Sequence, residues 1–247
     1  MRLATGALLA ILVLVNSISA ADEKADGRAI IDKAIKAVGG EEKMGQFKIE
    51  SFREKGTYYG MGDGLPYTGA YVVQWPDHFR MEIEGVFVMV VAGEKGWMTS
   101  EKGVVDMTEE QLKREKRNLY GGYVATLLPL KDKAYTLTVL PEAKVADKPV
   151  VGVRVTQKDK PDVSLYFDKD TGLLAKVEQM VLPSEDPKAK EVKQETFLSE
   201  YKEIEGCKMA TKVVAKRDGK VYVEAEMSDI KSLKKADEKA FAKPEAK

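Results

Sequence analysis

The sequence predicts a mainly β fold with a small helical part, an α+β chain built on antiparallel strands. Three observations point there. Apolar residues alternate with others over short segments, as in Val151, Val153 and Val155 against Gly152, Arg154 and Thr156, which is the two-residue period of a strand. Gly, Pro and Asp punctuate these segments at short intervals, and Asp218-Gly219 between two such runs has the form of a hairpin turn. The helical period is confined to two stretches.

The chain opens on Arg2, a run of apolar and small residues from Leu3 to Val15, and Asn16-Ser17-Ile18-Ser19-Ala20-Ala21, which ends in small side chains. Residues 1–21 therefore read as a secretory signal peptide cleaved after Ala20 or Ala21. An uncleaved anchor would need roughly 20 predominantly apolar residues, more than this run supplies. Residues 22–247 remain as a single β domain with a Lys-rich tail, placed outside the cytosol, either periplasmic or secreted.

After Asp26-Gly27, residues Ile30, Ile31, Ala34, Ile35 and Val38 form an apolar stripe at helical spacing that stops at Gly39-Gly40. Strands are then expected over Phe47 to Tyr59 and Pro66 to Trp75. The glycine-rich stretch between them lacks the Lys and Ser/Thr of a phosphate loop and reads as a hairpin. Short strands follow at His78 to Glu84, Val86 to Ala92, Gly96 to Ser100 and Val104 to Met107. Thr108-Glu109-Glu110-Gln111 has the form of a capping box. The helix it opens places Leu112, Leu119, Tyr120, Tyr123 and Leu127 along one face, and Gly121-Gly122 is expected to weaken or bend it. Strands resume at Tyr135 and run through Val163 to Phe167, Leu173 to Leu182, Glu191 to Tyr201, Lys208 to Arg217 and Lys220 to Ile230. Pro183 to Lys190 is a polar loop, and from Lys231 the chain reads as a solvated tail with Phe241 available to dock.

Composition narrows the chemistry. Lys and Arg number 40 against 40 Asp and Glu, with one His and one Cys. A neutral chain has no field for nucleic acid. One Cys builds neither a disulfide framework nor a Cys zinc site, and one His allows no two-His metal cluster. Cys207 reads as a buried packing residue. His78, beside Pro76-Asp77, reads as a strand-end histidine, and Asp168-Lys169-Asp170-Thr171-Gly172 reads as a turn lacking the spaced ligands of a calcium loop. No catalytic residue, metal site or cofactor is expected. Several strands are apolar on both faces, among them Tyr71 to Val73 and Phe87 to Val91. Their second face must be covered by helices or line a cavity.

Several segments resemble the outer-membrane lipoprotein-sorting proteins of the LolA/LolB-like superfamily, in particular its divergent secreted members. Ile30 to Met44, with Gly39-Gly40, is similar to their first helix and turn, and Trp75-Pro76-Asp77-His78-Phe79-Arg80-Met81-Glu82 to their Pro-x-x-Phe-Arg strand. Gly93-Glu94-Lys95-Gly96-Trp97 resembles a hairpin of that family. Phe167 to Leu173 and Tyr201 to Lys212 resemble two later hairpins, and Phe241-Ala242-Lys243-Pro244 resembles the Phe-x-x-Pro ending. The resemblance implies an incomplete antiparallel barrel of about eleven strands enclosing helices. It also implies noncatalytic binding of lipoprotein acyl chains or other lipids by a monomer that exchanges them with a membrane donor or acceptor protein. An envelope sensor or protein-interaction module of the same fold is the alternative. One position departs from the pattern: typical carriers have a basic residue before this Pro that helps hold the lid closed, and here Trp75 stands there. The expected cavity lining is Val73, Trp75, Phe79, Met81, Phe87, Met89 and Trp97 from strands, with Leu119, Tyr123 and Leu127 from a lid helix.

Overall fold

The computed structural model describes residues 20–46, 49–100, 103–183, 189–233 and 238–244. The expected leader lies outside them apart from Ala20 and Ala21, as do residues 184–188 of the polar loop. The first helix, α1 (Ala20–Val38), begins ahead of the predicted start and runs through Gly27, and a short α2 (Glu41–Gly45) replaces the expected polar turn. Strands β1 (Ile49–Tyr58), β2 (Leu65–Gln74), β3 (His78–Ile83), β4 (Phe87–Ala92), β5 (Lys95–Ser100) and β6 (Gly103–Asp106) lead to α3 (Glu109–Ala125). A single 3-10 turn, Leu128–Lys131, then precedes β7 (Thr136–Val145), β8 (Lys148–Thr156), β9 (Val163–Asp168) and β10 (Leu174–Val181). The chain continues through β11 (Val192–Ile204), β12 (Cys207–Arg217) and β13 (Lys220–Leu233). The last strand thus continues past Ile230, beyond the predicted start of the tail. Among the described residues no helix is long and apolar enough to cross a membrane.

All thirteen strands join one antiparallel sheet in the order β6-β5-β4-β3-β2-β1-β13-β12-β11-β10-β9-β8-β7. This is the expected incomplete barrel, with more strands than anticipated. Every pair of consecutive strands is adjacent in the sheet except β6 and β7, which α3 links across the two edges, and the pairing of β1 with β13 joins the two halves. Tight turns make this possible. At Asp218-Gly219 the φ angles are +46° and +79°, and at Glu205-Gly206 they are +50° and +81°, the left-handed pair that matches the twist of a two-residue hairpin.

The helices fill only part of the sheet's inner face. Ile31, Ala34 and Ile35 of α1 and Tyr120 and Val124 of α3 form one core with Leu137, Val153, Val155, Val163, Leu165 and Phe167 of β7 to β9. Helix α1 lies so close to β7 that a Cβ on Gly27 would stand 2.9 Å from both the Cβ and the carbonyl oxygen of Leu137. Arg28 fixes the segment after α3 by donating to the carbonyls of Leu130, Asp132 (3.0 Å) and Tyr135 (2.7 Å). Apolar surface buried in this core contributes about 25 cal/mol per Å² to stability. The half built from β1 to β3 and β11 to β13 receives no comparable helix.

Helix α3 begins at the predicted capping box. Thr108 Oγ1 accepts from Gln111 N at 3.2 Å, and Gln111 Oε1 accepts from Thr108 N at 2.8 Å. It continues through Gly121-Gly122 to Ala125 without the expected break. The reason lies in packing: a Cβ on Gly121 would fall 2.4 Å from Gln179 Oε1, and one on Gly122 2.9 Å from the Trp75 indole. Asn118 clamps the helix to β10, with Nδ2 donating to the Leu182 carbonyl and Oδ1 accepting from Leu182 N, both at 3.0 Å.

Candidate functional site

The unfilled half of the inner face is a groove with a volume of about 750 Å³. Its floor comes from β1, β2 and β3, continued by β11, β12 and β13. Strand alternation puts Glu50, Phe52 and Glu54 of β1 on the inward face, beside Tyr71 and Val73 of β2 and Phe79 of β3. The Phe52 and Tyr71 rings stack with centroids 4.7 Å apart and planes at 9°. Leu198, Val213 and Met227 extend the floor, and Tyr201 closes one side with its hydroxyl donating to the Leu174 carbonyl at 2.6 Å. The roof is the C-terminal end of α3, through Gly122, Tyr123 and Ala125, together with Thr126, Leu127 and the 3-10 turn.

Trp75 joins floor to roof. It follows β2 at a cis peptide bond to Pro76, and its indole lies 6.2 Å from the Tyr123 ring at 39°. An aromatic contact therefore stands at the place where the resemblance leads one to look for a charged one. Leu127, only 2 % exposed, adopts φ +67° as the helix gives way to the turn and faces the same groove.

The structure thus brings together Val73, Trp75, Phe79, Tyr123 and Leu127 of the predicted lining. It places the others elsewhere. Met81 pairs with Tyr71 and Met89, so both methionines share the inward face of their strands, and Phe87 has the same parity. None of these three reaches the groove wall. Leu119 is half-buried on α3, away from the groove. Trp97 faces the opposite side of the sheet, because it pairs with Val90, whereas inward-facing Phe79 pairs with Val91. There Trp97 is 5 % exposed and its Nε1 donates to the Phe241 carbonyl at 3.3 Å. Phe241 also packs edge-on against His78, with centroids 5.1 Å apart. The chain's C-terminal segment thus covers the outer apolar face of β3 to β5.

Glu50, Phe52 and Glu54 were not among the predicted lining. Both faces of β1 carry charged residues, Arg53 and Lys55 on one and Glu50 and Glu54 on the other, so alternation alone does not show which face turns inward. Burial pushes both carboxyls above the ordinary value of 4.5, and at Glu54 this is opposed by hydrogen bonds from the Tyr71 and Tyr67 hydroxyls. The Tyr71 hydroxyl is itself raised by burial and by the neighbouring Glu54 charge.

The other polar candidates have structural partners. His78 Nδ1 lies 2.8 Å from Asp77 Oδ1. Asp168 Oδ1 accepts from the backbone of Asp170 (3.1 Å) and Thr171 (2.8 Å) and from the Thr171 hydroxyl (2.9 Å), so the turn uses its own carboxylate. Those bonds, the Thr171 backbone first, hold the Asp168 carboxyl below its usual range. Cys207 is 2 % exposed and desolvation pushes its thiol up; a Cβ on Gly39 would lie 3.3 Å from its sulfur. Among the described residues no cluster of three or more His, Cys, Asp or Glu is arranged to hold a metal ion.

Comparison with solved structures shows the fold. The chain is similar to a LolA superfamily protein from Nitrosomonas europaea, with 14 % identity and a TM-score of 0.57 over 88 % of this chain and 97 % of that one. It is similar to an outer membrane lipoprotein-sorting protein domain from Vibrio parahaemolyticus at 13 % identity and TM-score 0.55, covering 88 % and 97 % of the two chains. A DUF1329 family protein from Desulfovibrio piger matches at 13 % identity and TM-score 0.56, covering 83 % and 92 %. No protein-family model matches the sequence, and no curated protein matches it. The architecture is accordingly that of a LolA-like open barrel, reached by a divergent sequence.

Proposed function

We propose that this protein is an exported, noncatalytic binding protein whose groove takes up the apolar chain of a lipid or of a lipoprotein. The observation that carries the proposal is the groove itself, a cavity of about 750 Å³ floored by Phe52, Tyr71, Val73 and Phe79 and roofed by Tyr123 and Leu127. That volume lies within the roughly 300–1,000 Å³ of small-molecule sites. Each methylene of an acyl chain buried there supplies about 0.8 kcal/mol. The lipoprotein-sorting description of the Vibrio structure agrees with this reading, and the signal peptide expected at residues 1–21 supports a site in the envelope or outside it.

The test is native mass spectrometry, with lipid extraction, of protein purified from its own envelope. A bound lipid or acylated protein is the expected result. Protein that is empty and fails to bind the neutral apolar dye Nile red would exclude the carrier role. Recovery of a defined protein partner without any lipid would instead favour the interaction-module reading.

A further inference from the structure

Glu50 and Glu54 are out of place in an apolar groove. They lie on one face of β1 with Phe52 between them, and over four residues of strand their Cα atoms are about 13 Å apart. Glu54 has the Tyr67 and Tyr71 hydroxyls beside it. Glu50 is half-buried in the groove wall, opposite Val73 on β2 and Ser232 on β13, and has no hydrogen-bond or ion-pair partner among the described residues. Among the described residues Lys208 is the only cation of the lining, and it is exposed.

A carboxyl group partly stripped of water by such a wall, without a protein partner, carries a partial desolvation cost in the empty protein. Its chemistry disfavours a second carboxylate or a phosphate beside it and favours an N–H or O–H donor, most strongly a cationic one. The cost is recovered when a ligand brings that donor. We propose that the groove selects an apolar chain carrying a cationic or hydrogen-bond-donating end, anchored on Glu50 with Glu54 as a second acceptor, and discriminates against chains with an anionic end. This rests on the groove binding an apolar chain at all.

Three ligands with the same ten-carbon tail separate the two ideas: decylamine, decanol and decanoate, each titrated against the wild-type protein loaded with Nile red near pH 7. Decylamine is expected to displace the dye at a concentration about tenfold or more below that of decanoate, with decanol between them. Replacing both carboxyls, Glu50→Gln with Glu54→Gln, is expected to bring the amine and the carboxylate within about threefold of each other while decanol is little changed. Equal displacement by amine and carboxylate in the wild type, a preference for decanoate, or a gap that survives the double substitution overturns the proposal. A wild-type protein that takes up no dye overturns the groove reading instead. The wild-type comparison stands even if the double variant does not fold.

Discussion

The indole of Trp75 lies so close to Gly122 that a Cβ on the glycine would sit 2.9 Å from the indole Cη2 and 3.0 Å from Cζ2. The glycine pair that looked like a flaw in α3 is therefore the place where the roof of the groove meets its floor. Helix propensity is given up there for close approach.

Substituting Gly122 by Ala should separate stability from binding. The added methyl favours the helix by up to about 1 kcal/mol, yet it must push the Trp75 indole into the groove. The expected outcome is a thermal midpoint near that of the wild type and an affinity for Nile red lower by about tenfold. Fluorescence titration and thermal denaturation on the same sample check both halves.

Gly27 and Gly45 make a contrasting pair. Both lie in helices, but a Cβ on Gly27 meets the backbone and Cβ of Leu137 at 2.9 Å, whereas one on Gly45 meets nothing within 4 Å. Gly27→Ala is expected to destabilise by about 1–3 kcal/mol through overpacking, and Gly45→Ala to be neutral or stabilising by up to about 1 kcal/mol. Urea denaturation curves decide it, and equal effects at the two sites would refute the close packing of α1 on β7.

Glu50 links the groove to pH. Its carboxyl is raised above 4.5 by burial, so the folded protein binds this proton more tightly than the unfolded chain does. The stability it contributes is fully present below pH 4.5 and is lost as pH rises through the folded value. Glu50→Gln should therefore match the wild type in acid and exceed it at neutral pH. Denaturation curves of both proteins between about pH 4 and 8 measure this; a difference independent of pH would contradict it. Asp168, whose carboxyl is lowered, acts in the opposite sense, its contribution fading as pH falls through its folded value.

The C-terminal segment shields Trp97. Deleting residues 238–247 removes Phe241 and the carbonyl that receives the Trp97 Nε1–H, leaving the outer face of β4 and β5 wet. Tryptophan emission should shift to the red and the protein should lose about 1–3 kcal/mol. Unchanged emission would show that Trp97 is covered by something else.

Much of this molecule was legible in the sequence because its signals are local. Asp218-Gly219 needs only its two residues to make a hairpin turn, and Thr108 with Gln111 suffices to start a helix. Period-two alternation likewise located the strands. Alternation, however, says that two faces differ without saying which is inside. The sequence pattern leads one to expect Trp97 in the cavity, whereas its pairing with Val90 turns it outward. Met81, Phe87 and Met89 have the inward parity and still lie away from the groove wall.

By itself the sequence determined the strands, their turns, the capped helix and the requirement that both faces of β2 and β4 be covered, because each follows from neighbours a few residues apart. Only the tertiary structure decided how they are covered. Helices α1 and α3 pack over β7 to β9, the C-terminal segment packs outside β3 to β5, and the inner face of β1 to β3 and β11 to β13 is left as a groove with Glu50 and Glu54 in its wall. Those outcomes depend on contacts between residues far apart in the chain, where the balance of apolar burial against unpaired charge is settled by the whole sheet.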